Sequence, residues 1–285
     1  NNEAPHNRLQ RKNLVLHYLS WNISESVNLG LFESIVWRHR DSTYNRGIDP
    51  NYFNPVIFLR PIEFARGSED NALMGLAGSI ALSPSSKIYG QFIIDEFNLQ
   101  IISENPGWWG NKHGLQLGFK TSDLLGIKGL DGQVEYSQVR PFTYAYANSL
   151  KNYGNQFEAL AHPLGSNFRE ALAKIFYQRD KYYLRGKFIR AWKGEDPSDA
   201  NLGGNIYKNY NTREMGYGNE MLQGIKSDLT YWEIRGGYQI IPQWGLAIEG
   251  RLLGRSYIND NSNEHHLYFQ LGVSSTLHDV ERFFY

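Results

Sequence analysis

The feature of this sequence that most constrains its fold is a two-residue alternation of apolar and polar side chains, which recurs from about residue 72 onward. Near the C-terminus, for example, Leu267 and Phe269 alternate with His266 and Tyr268. A period of two indicates a β-strand with one apolar and one polar face. When the period recurs in segments of roughly ten residues along a long chain, it predicts a closed sheet with lipid outside and a polar interior.

The alternating segments are separated by connections of two kinds. Short turns are predicted at 83–86, 179–180 and 241–243, and long polar connections at 98–112, 145–167, 194–225 and 255–264. Short turns on one rim and long loops on the other are typical of outer-membrane barrels. The sequence therefore predicts an all-β fold, an antiparallel transmembrane β-barrel with about twelve recognisable strands.

The alternation is weaker before residue 55 than after it. We therefore predict that residues 1–55 form an N-terminal segment, which either contributes the first strands or is a periplasmic or plug region. Residues 56–285 are predicted to be the barrel. The aromatic residues of Arg282–Tyr285 agree with this, because a terminal strand ending in an aromatic is common in bacterial outer-membrane barrels.

Composition excludes several other classes of protein. Lys and Arg number 29, as do Asp and Glu, so charge does not indicate nucleic acid as a partner. The lack of cysteine excludes a disulfide framework and a thiolate metal site. No apolar run reaches the 18–20 or so residues that a membrane-spanning helix needs. Aromatic residues make up 14% of the chain, which favours strands and membrane interfaces.

No sequence pattern identifies a catalytic or metal site. The metalloprotease and nucleophile-elbow motifs are absent. Two adjacent residues of a strand face opposite ways, so His265 and His266 cannot both bind one metal ion. For the same reason, Asp95 and Glu96 cannot both serve one cavity as a glycosidase pair. We therefore predict a protein that is not an enzyme and has no metal and no cofactor.

Charged side chains of both signs share the polar parity of the predicted strands. If the barrel is real, they line its interior and can pair across it; in a soluble sandwich they would be a solvated face. The predicted lumen-lining charges are Asp95, Lys120, Glu135, Arg185, Lys187, Glu233, Arg235, Glu249 and Arg251.

Aromatic residues are also concentrated in the long connections. Rings of this kind stack on sugars, while His and Asn offer hydrogen bonds; for the Trp pair an interfacial anchor is the favoured alternative. The candidate glycan-binding residues are Trp108, Trp109, Tyr146, Tyr153 and His162.

Three segments resemble the capsule-assembly (Wzi-type) family of outer-membrane barrels. They are 88–97, 134–136 and, above all, Ala-His-Pro-Leu-Gly-Ser-Asn at 161–167. Within that family the sequence is most similar to Bacteroidota members of the gliding-motility RemB-like kind. The resemblance extends over roughly residues 55–285 and implies a barrel of the cell outer membrane that takes part in attaching or organising surface polysaccharide.

The resemblance also bears on size and partners. Family members have about eighteen strands and longer chains, so the chain is predicted to be either the C-terminal part of a larger barrel or a smaller barrel. The expected partners are outer-membrane lipid or lipopolysaccharide, surface polysaccharide and other outer-membrane proteins, as in a cell-surface or secretion assembly. Two alternatives stay open: a porin-like channel for small solutes, and a soluble β-sandwich with a carbohydrate-binding site.

Overall fold

A single antiparallel sheet of eleven strands dominates the computed structural model, which describes residues 11–40, 47–54, 70–96 and 99–275. The strands are β1 (Lys12–Asn22), β2 (Val27–Arg38), β3 (Asn71–Ser83), β4 (Ser86–Glu96), β5 (Lys112–Thr121), β6 (Leu130–Val139), β7 (Gly154–Asn155), β8 (Glu158–Ala159), β9 (Phe168–Arg179), β10 (Tyr182–Glu195), β11 (Ile225–Ile241), β12 (Leu246–Asn259) and β13 (Ser262–Ser274). The short strands β7 and β8 pair only with each other. The predicted all-β antiparallel fold is confirmed, with eleven strands in the main sheet where about twelve were predicted.

In the described part of the chain, helical structure is limited to segments of three to six residues. One α-helix, α1, covers Leu99–Glu104. Short 3-10 helices lie at Pro50–Phe53, Leu124–Gly126, Ser149–Lys151, Tyr210–Thr212 and Pro242–Trp244. None of the helices in the described ranges is long and apolar enough to cross a membrane.

Each strand of the sheet pairs with its neighbour in the chain, and β6 pairs with β9. The first two strands, which lie within the predicted segment 1–55, are part of the same sheet. The strands form one continuous sheet, which is not the two packed sheets of a β-sandwich. Within the described residues no pairing joins β1 to β13. The predicted aromatic end at Arg282–Tyr285 lies outside the described residues.

Short and long connections alternate along the sheet, which gives it a turn rim and a loop rim. At the turn rim lie the connections β1–β2, β3–β4, β5–β6, β9–β10 and β11–β12; at the loop rim lie β2–β3, β4–β5, β6–β9 and β10–β11, together with the β12–β13 connection, which is the one short turn at this rim in the described residues. The predicted long connection at 255–264 is wrong, because β12 continues to Asn259 and β13 begins at Ser262. The Asn259 side chain accepts a hydrogen bond from the Asn261 backbone N–H at 2.9 Å, which closes a tight turn.

The two faces of the sheet differ sharply in chemistry. On one face, which we call the apolar face, large hydrophobic side chains remain about half exposed although they lie within the sheet: Leu76, Ile80, Leu117, Val134, Ile175, Leu184, Phe188, Ile234, Ile248 and Leu252. Soluble monomers rarely expose so large a continuous apolar surface. A lipid-facing strand of a membrane barrel requires one.

The opposite, polar face curves inward. A cavity of about 560 Å³ is lined by residues of seven neighbouring strands, from Ala81 on β3 to Glu233 and Arg235 on β11. The charged residues that line it share the parity of the predicted interior side chains. The polar face is therefore the concave face of the sheet.

Tyrosines on the polar face reach across glycine to the second strand along. Tyr183 on β10 lies opposite Gly237 on β11, which lies opposite Glu249 on β12. The Tyr183 hydroxyl donates to the Glu249 carboxylate at 2.6 Å. A Cβ atom at Gly237 would come within 2.5 Å of the tyrosine ring, so only glycine leaves room for it.

The same arrangement recurs elsewhere in the sheet. On β4, β5 and β6 the corresponding residues are Tyr89, Gly118 and Glu135, and the Tyr89 hydroxyl donates to the Glu135 carboxylate. Here too a Cβ atom on the glycine would collide with the ring, at 2.3 Å. We call these two arrangements the Tyr–Gly–Glu rows.

The larger of two buried hydrophobic clusters in the described residues lies at the loop rim, between the polar face and residues 105–111, 140–167 and 196–224, which we call the loop layer. Its buried members are Leu73, Val139, Tyr144, Phe168 and Ile206, contributed by three strands and two loops. The interior of the sheet is thus covered at one rim by packed loops and lined by polar side chains at the other.

Candidate functional site

A buried ion pair fastens the loop layer to the sheet. The Asp95 carboxylate on β4 lies 3.3 Å from the Lys112 ammonium on β5, and both side chains are 0% exposed. The Tyr144 backbone N–H donates to the Asp95 carboxylate at 2.6 Å, and the Lys112 ammonium donates to the Ala145 carbonyl at 3.3 Å. Burial, and then the Asp95 charge, raise the pKa of the Tyr144 hydroxyl, which therefore stays protonated at neutral pH.

Arg140, at the start of the loop 140–167, joins this loop to two others through their backbone carbonyls. Its guanidinium donates to the Asn111 carbonyl at 2.8 Å and to the Asn219 carbonyl at 3.2 Å. A guanidinium presents several donors in one plane, so it can satisfy carbonyls from separate loops at once. Burial lowers the pKa of Arg140. The loop layer is therefore one connected unit.

Three of the predicted glycan-binding residues come together within this layer. The Trp109 ring lies 4.8 Å from the Tyr210 ring and 4.3 Å from the Arg213 guanidinium, measured between centres. Trp108 lies 6.0 Å from Trp109, and Tyr146 lies 5.6 Å from Tyr210. These rings contact one another and nearby cations, so their faces are largely occupied by protein.

The other two predicted residues lie apart from the tryptophans. Tyr153 stacks on Tyr144 at 5.9 Å. His162 stacks on Phe168 at 4.4 Å, and its Nε2 atom lies 3.3 Å from the Glu170 carboxylate. All five predicted residues are partly buried. The structure thus places them as parts of the loop layer.

The segment 161–167 organises the end of this layer. The Asn167 side chain is fully buried, and its amide donates to the Gly194 carbonyl at 2.9 Å and to the Gln223 carbonyl at 2.8 Å. Its carbonyl oxygen accepts from the Leu222 N–H at 2.7 Å. Asn167 itself has a φ of 57°, a left-handed conformation that asparagine tolerates better than most residues. Both ends of the loop 196–224 are therefore fixed to this segment.

The same segment forms one wall of a cavity of about 750 Å³, which we call the loop cavity. The other walls come from the β7–β8 hairpin, the end of β10 and the loop that follows it. The residues that matter here are Phe157, Glu158, Leu164, Lys193, Asp196 and Tyr207. The Lys193 ammonium is held by the Leu164 carbonyl at 2.7 Å, and Asp196 accepts from the Gly204 N–H at 2.8 Å. A concave site with a few fixed polar groups is the usual form of a small-ligand site.

An exposed aromatic ring stands at the mouth of the loop cavity. Phe157 is 92% exposed and has a φ of 65°, and the preceding Gln156 has a φ of 48°. These are the two central residues of the β7–β8 turn, where left-handed conformations usually require Asn or Gly. A bulky residue held this way is strained, and such strain is concentrated at functional sites.

Tyr207 supplies a second aromatic ring to the cavity. Its ring lies 6.1 Å from the Phe157 ring. Its hydroxyl is buried and has no hydrogen-bond partner among the described residues. Burial, and then the charge of Glu158, raise the pKa of this hydroxyl, so it is a neutral donor at neutral pH. Because a buried unpaired donor is costly, a ligand oxygen that paired with it would be stabilised.

The predicted lumen-lining charges all belong to strands and share the polar face. Glu233 is the centre of a small network, with Arg251 at 2.5 Å and Arg235 at 3.3 Å. The members at other positions along the face are Lys120, Glu135, Arg185, Lys187 and Glu249, and Asp95 lies at the loop rim. Within the described ranges, no three His, Asp or Glu side chains are grouped closely enough to hold a metal ion.

Sequence reasoning missed the two aromatic residues of the loop cavity. Phe157 and Tyr207 lie in long connections that the sequence predicted as polar loops. The turn at Gln156 and Phe157 lacks the Asn or Gly that would have marked a two-residue hairpin. The cavity itself joins residues about fifty positions apart, which no local pattern reveals.

Comparison with solved structures places this architecture among outer-membrane β-barrels. Wzi of Escherichia coli, an outer-membrane protein involved in group 1 capsule assembly and a carbohydrate-binding β-barrel, aligns with a TM-score of 0.58 at 12% identity, over 92% of this chain and 51% of its own. The chain thus spans about half the length of that barrel. At so low an identity the alignment shows the fold alone.

Two further barrels align more weakly. OprD of Pseudomonas aeruginosa has a TM-score of 0.40 at 12% identity, over 93% of this chain and 61% of its own. The siderophore receptor PirA of Acinetobacter baumannii has a TM-score of 0.38 at 12% identity, over 95% and 39%. No protein-family model and no curated protein sequence matches the chain.

Proposed function

We propose that this chain is part of an outer-membrane β-barrel that binds surface polysaccharide in the loop cavity and carries out no catalysis. The observation that carries the proposal is the exposed Phe157 ring, held by a strained turn over a polar cavity of about 750 Å³. Sugar rings pack their apolar faces on such aromatic rings while their hydroxyls bond to nearby polar groups. The fold shared with a carbohydrate-binding barrel agrees with this assignment.

The side chains of the loop cavity suit a glycan that is neutral or that carries charges of both signs. Phe157 and Tyr207 supply ring faces, while Lys193, Asp196 and Glu158 place charges of both signs around them. The Tyr207 hydroxyl supplies a donor without a described partner. Because Asn167 ties the segment 161–167 to the end of β10 and to the loop 196–224, little ordering is required when a ligand binds, which favours affinity.

The apolar face supports a location in the outer membrane, with lipid or lipopolysaccharide as its surroundings. Its half-exposed side chains form rows across the strands; in one of them, Ile175, Ile234, Leu252 and Phe269 lie in register on β9, β11, β12 and β13. The sequence motifs at 88–97 and 161–167 further support membership in the capsule-assembly family. The narrower relation to gliding-motility proteins of Bacteroidota rests on those motifs alone.

The membrane placement predicts a depth-dependent response to charge. Ile234→Arg puts a cation at the middle of β11 on the apolar face, where the residue is 51% exposed. We expect it to lower the free energy of unfolding in lipid bilayers by about 2–4 kcal/mol, because an arginine at the bilayer centre is costly. Ile258→Arg, on the same face near the end of β12, is expected to cost only about 0–1 kcal/mol. Urea titration in vesicles, followed by heat-modifiable gel migration, measures the free energy of unfolding of both variants. Equal losses of stability would rule out the placement of the apolar face in the membrane.

Glycan binding is tested at the exposed ring. Phe157→Ala is expected to weaken binding of polysaccharide extracted from cells that make the protein by about five- to tenfold, since one ring contact contributes about 1 kcal/mol. Leu125→Ala is a matched control, because Leu125 is 88% exposed and has a φ of 56° but lies at the turn rim. Surface plasmon resonance on the protein in detergent gives both affinities. If the two variants bound equally well, the loop cavity would not be the glycan site.

A further inference from the structure

The cavity of about 560 Å³ on the polar face, which we call the strand cavity, has a chemistry of its own. It lies near the turn rim, where Pro84 and Ser85 of the β3–β4 turn border it, and so is distinct from the loop cavity. Six cationic side chains line it, against two acidic ones. The cations are Lys87, Lys120, Lys174, Arg185, Lys187 and Arg235.

The strand register places these cations directly opposite one another. Three like-charge pairs result, on three different strand pairs: Lys87 with Lys120, Lys174 with Lys187, and Arg185 with Arg235. Like charges directly opposite on one face of a sheet destabilise it. A solvated interior tolerates such charges, yet solvation alone gives no reason for three matched pairs around one cavity.

Glu233, one of the two acidic residues that line the cavity, forms its ion pairs with arginines and not with the lysines. Glu233 is bonded to Arg251 at 2.5 Å and to Arg235 at 3.3 Å. Within the described ranges, none of the four lysines forms an ion pair. Among these four, only Lys187 lies over an aromatic ring there, with its ammonium 5.7 Å from the centre of the Tyr231 ring. The strand cavity therefore holds a surplus of positive charge in a recess, where the surrounding protein concentrates the field.

We propose that the strand cavity binds a ligand with at least two oxyanion groups, carboxylates or phosphates. Lysine ammonium groups attract such groups as point charges, and a guanidinium can bind one of them through two parallel hydrogen bonds. The spacing of the pairs across neighbouring strands requires more than one anionic group to neutralise them. Acidic saccharides and phosphorylated molecules share this chemistry. The site goes beyond the glycan-binding proposal and stands whether or not the loop cavity binds glycan.

The test measures binding of two small anions to the whole protein in a neutral detergent. Isothermal titration calorimetry with trigalacturonate represents the carboxylate source, pyrophosphate the phosphate source, and maltotriose an uncharged saccharide. We expect at least one of the two anions to bind the unmodified protein, and the affinity to fall as NaCl is raised from about 50 to about 300 mM. The anion that binds identifies the source. Failure of both anions to bind would overturn the proposal.

A matched pair of triple variants separates the site from overall charge. K120Q/K174Q/K187Q removes three cations from the cavity, whereas K128Q/K181Q/K226Q removes three exposed cations that do not line it. The first is expected to weaken anion binding about tenfold or more, and the second less than about twofold, because contact distance decides the interaction. Equal losses in both variants would overturn the proposal. Phe157→Ala should leave anion binding unchanged, which distinguishes failure here from failure of the glycan-binding proposal.

The melting temperature gives a second test. Loss of the lysines should raise it if they repel one another and lower it if they support the fold. Without anion, K120Q/K174Q/K187Q should show a higher apparent melting temperature than the unmodified protein, since it lacks the repulsion within two of the pairs. Pyrophosphate or trigalacturonate should stabilise the unmodified protein and not this variant. A lower melting temperature for the variant would mean that the lysines support the fold, and would also overturn the proposal.

Discussion

Replacing Asn167 by Ala is expected to lower the free energy of unfolding of the loop layer by about 3 kcal/mol or more. The substitution removes hydrogen bonds to the Gly194 carbonyl, the Gln223 carbonyl and the Leu222 N–H. These three backbone groups lose their partner in a buried place, where each unsatisfied group costs about 1–3 kcal/mol. Alanine is also less suited than asparagine to the φ of 57°.

The loss is measured by guanidinium titration of the protein in detergent, with tryptophan fluorescence reporting on the layer that contains Trp109, and by protease cleavage within 196–224. Asn167→Asp keeps the acceptor for the Leu222 N–H but turns a carboxylate oxygen toward the Gly194 and Gln223 carbonyls in a buried place, so it should be at least as destabilising as Asn167→Ala. Asn263→Ala, at an exposed position of β13, serves as the control and should change little. If cleavage of 196–224 were as slow in Asn167→Ala as in the unmodified protein, this account of the loop would be wrong.

Asp95→Ala is expected to destabilise the junction of the loop layer and the sheet by about 3–5 kcal/mol. The substitution removes the carboxylate that lies 3.3 Å from the fully buried Lys112 ammonium. It also removes the acceptor of the Tyr144 backbone N–H. Breaking one half of a buried ion pair leaves the other charge in a poorly solvating environment, and that penalty exceeds the worth of the pair itself.

A double variant tests this reasoning. Asp95→Asn with Lys112→Met removes both charges while roughly keeping the volume, so it should recover part of the stability lost in Asp95→Ala. The same denaturation titration compares the two. Glu264→Gln is the matched control, because its partner Arg255 lies 3.6 Å away at an exposed position, and solvent-exposed pairs contribute little. A double variant less stable than Asp95→Ala would contradict the explanation.

The strands and their faces follow from local sequence pattern. In β10 and β11 the alternation around Lys187 and Glu233 is enough to predict which residues lie on each face, because successive residues of a strand point to opposite faces whatever their surroundings. All nine predicted interior charges share one face for this reason. The turn at 260–261 was missed because Tyr257 and Asn259 are polar residues of the interior parity, which in sequence resemble a loop. A polar stretch is ambiguous where a strand faces a polar interior.

The site could not be predicted to the same degree, because it depends on contacts between distant segments. Trp109 meets Tyr210, and Asn167 meets Gln223, across separations that no local period encodes. The sequence therefore located aromatic residues in the long loops without distinguishing packed rings from the exposed ring of Phe157. The motif at 161–167 did indicate an important segment, and the structure shows what it does: it anchors a loop and forms a cavity wall.

The Tyr–Gly–Glu rows bear on the size of the finished barrel. Neighbouring strands are about 4.8 Å apart, so strands that are second neighbours lie nearly 10 Å apart in a flat sheet. Each tyrosine–glutamate hydrogen bond crosses that distance on the concave side of the curved sheet, like a chord across an arc. It passes over a glycine, where a Cβ atom would collide with the tyrosine ring. The length of two side chains thus sets a local radius, in addition to the tilt and number of strands that govern barrel diameter. Because the two Tyr–Gly–Glu rows lie four strands apart in the sheet, with the same residues in the same order, they define a repeated unit of bend along the sheet.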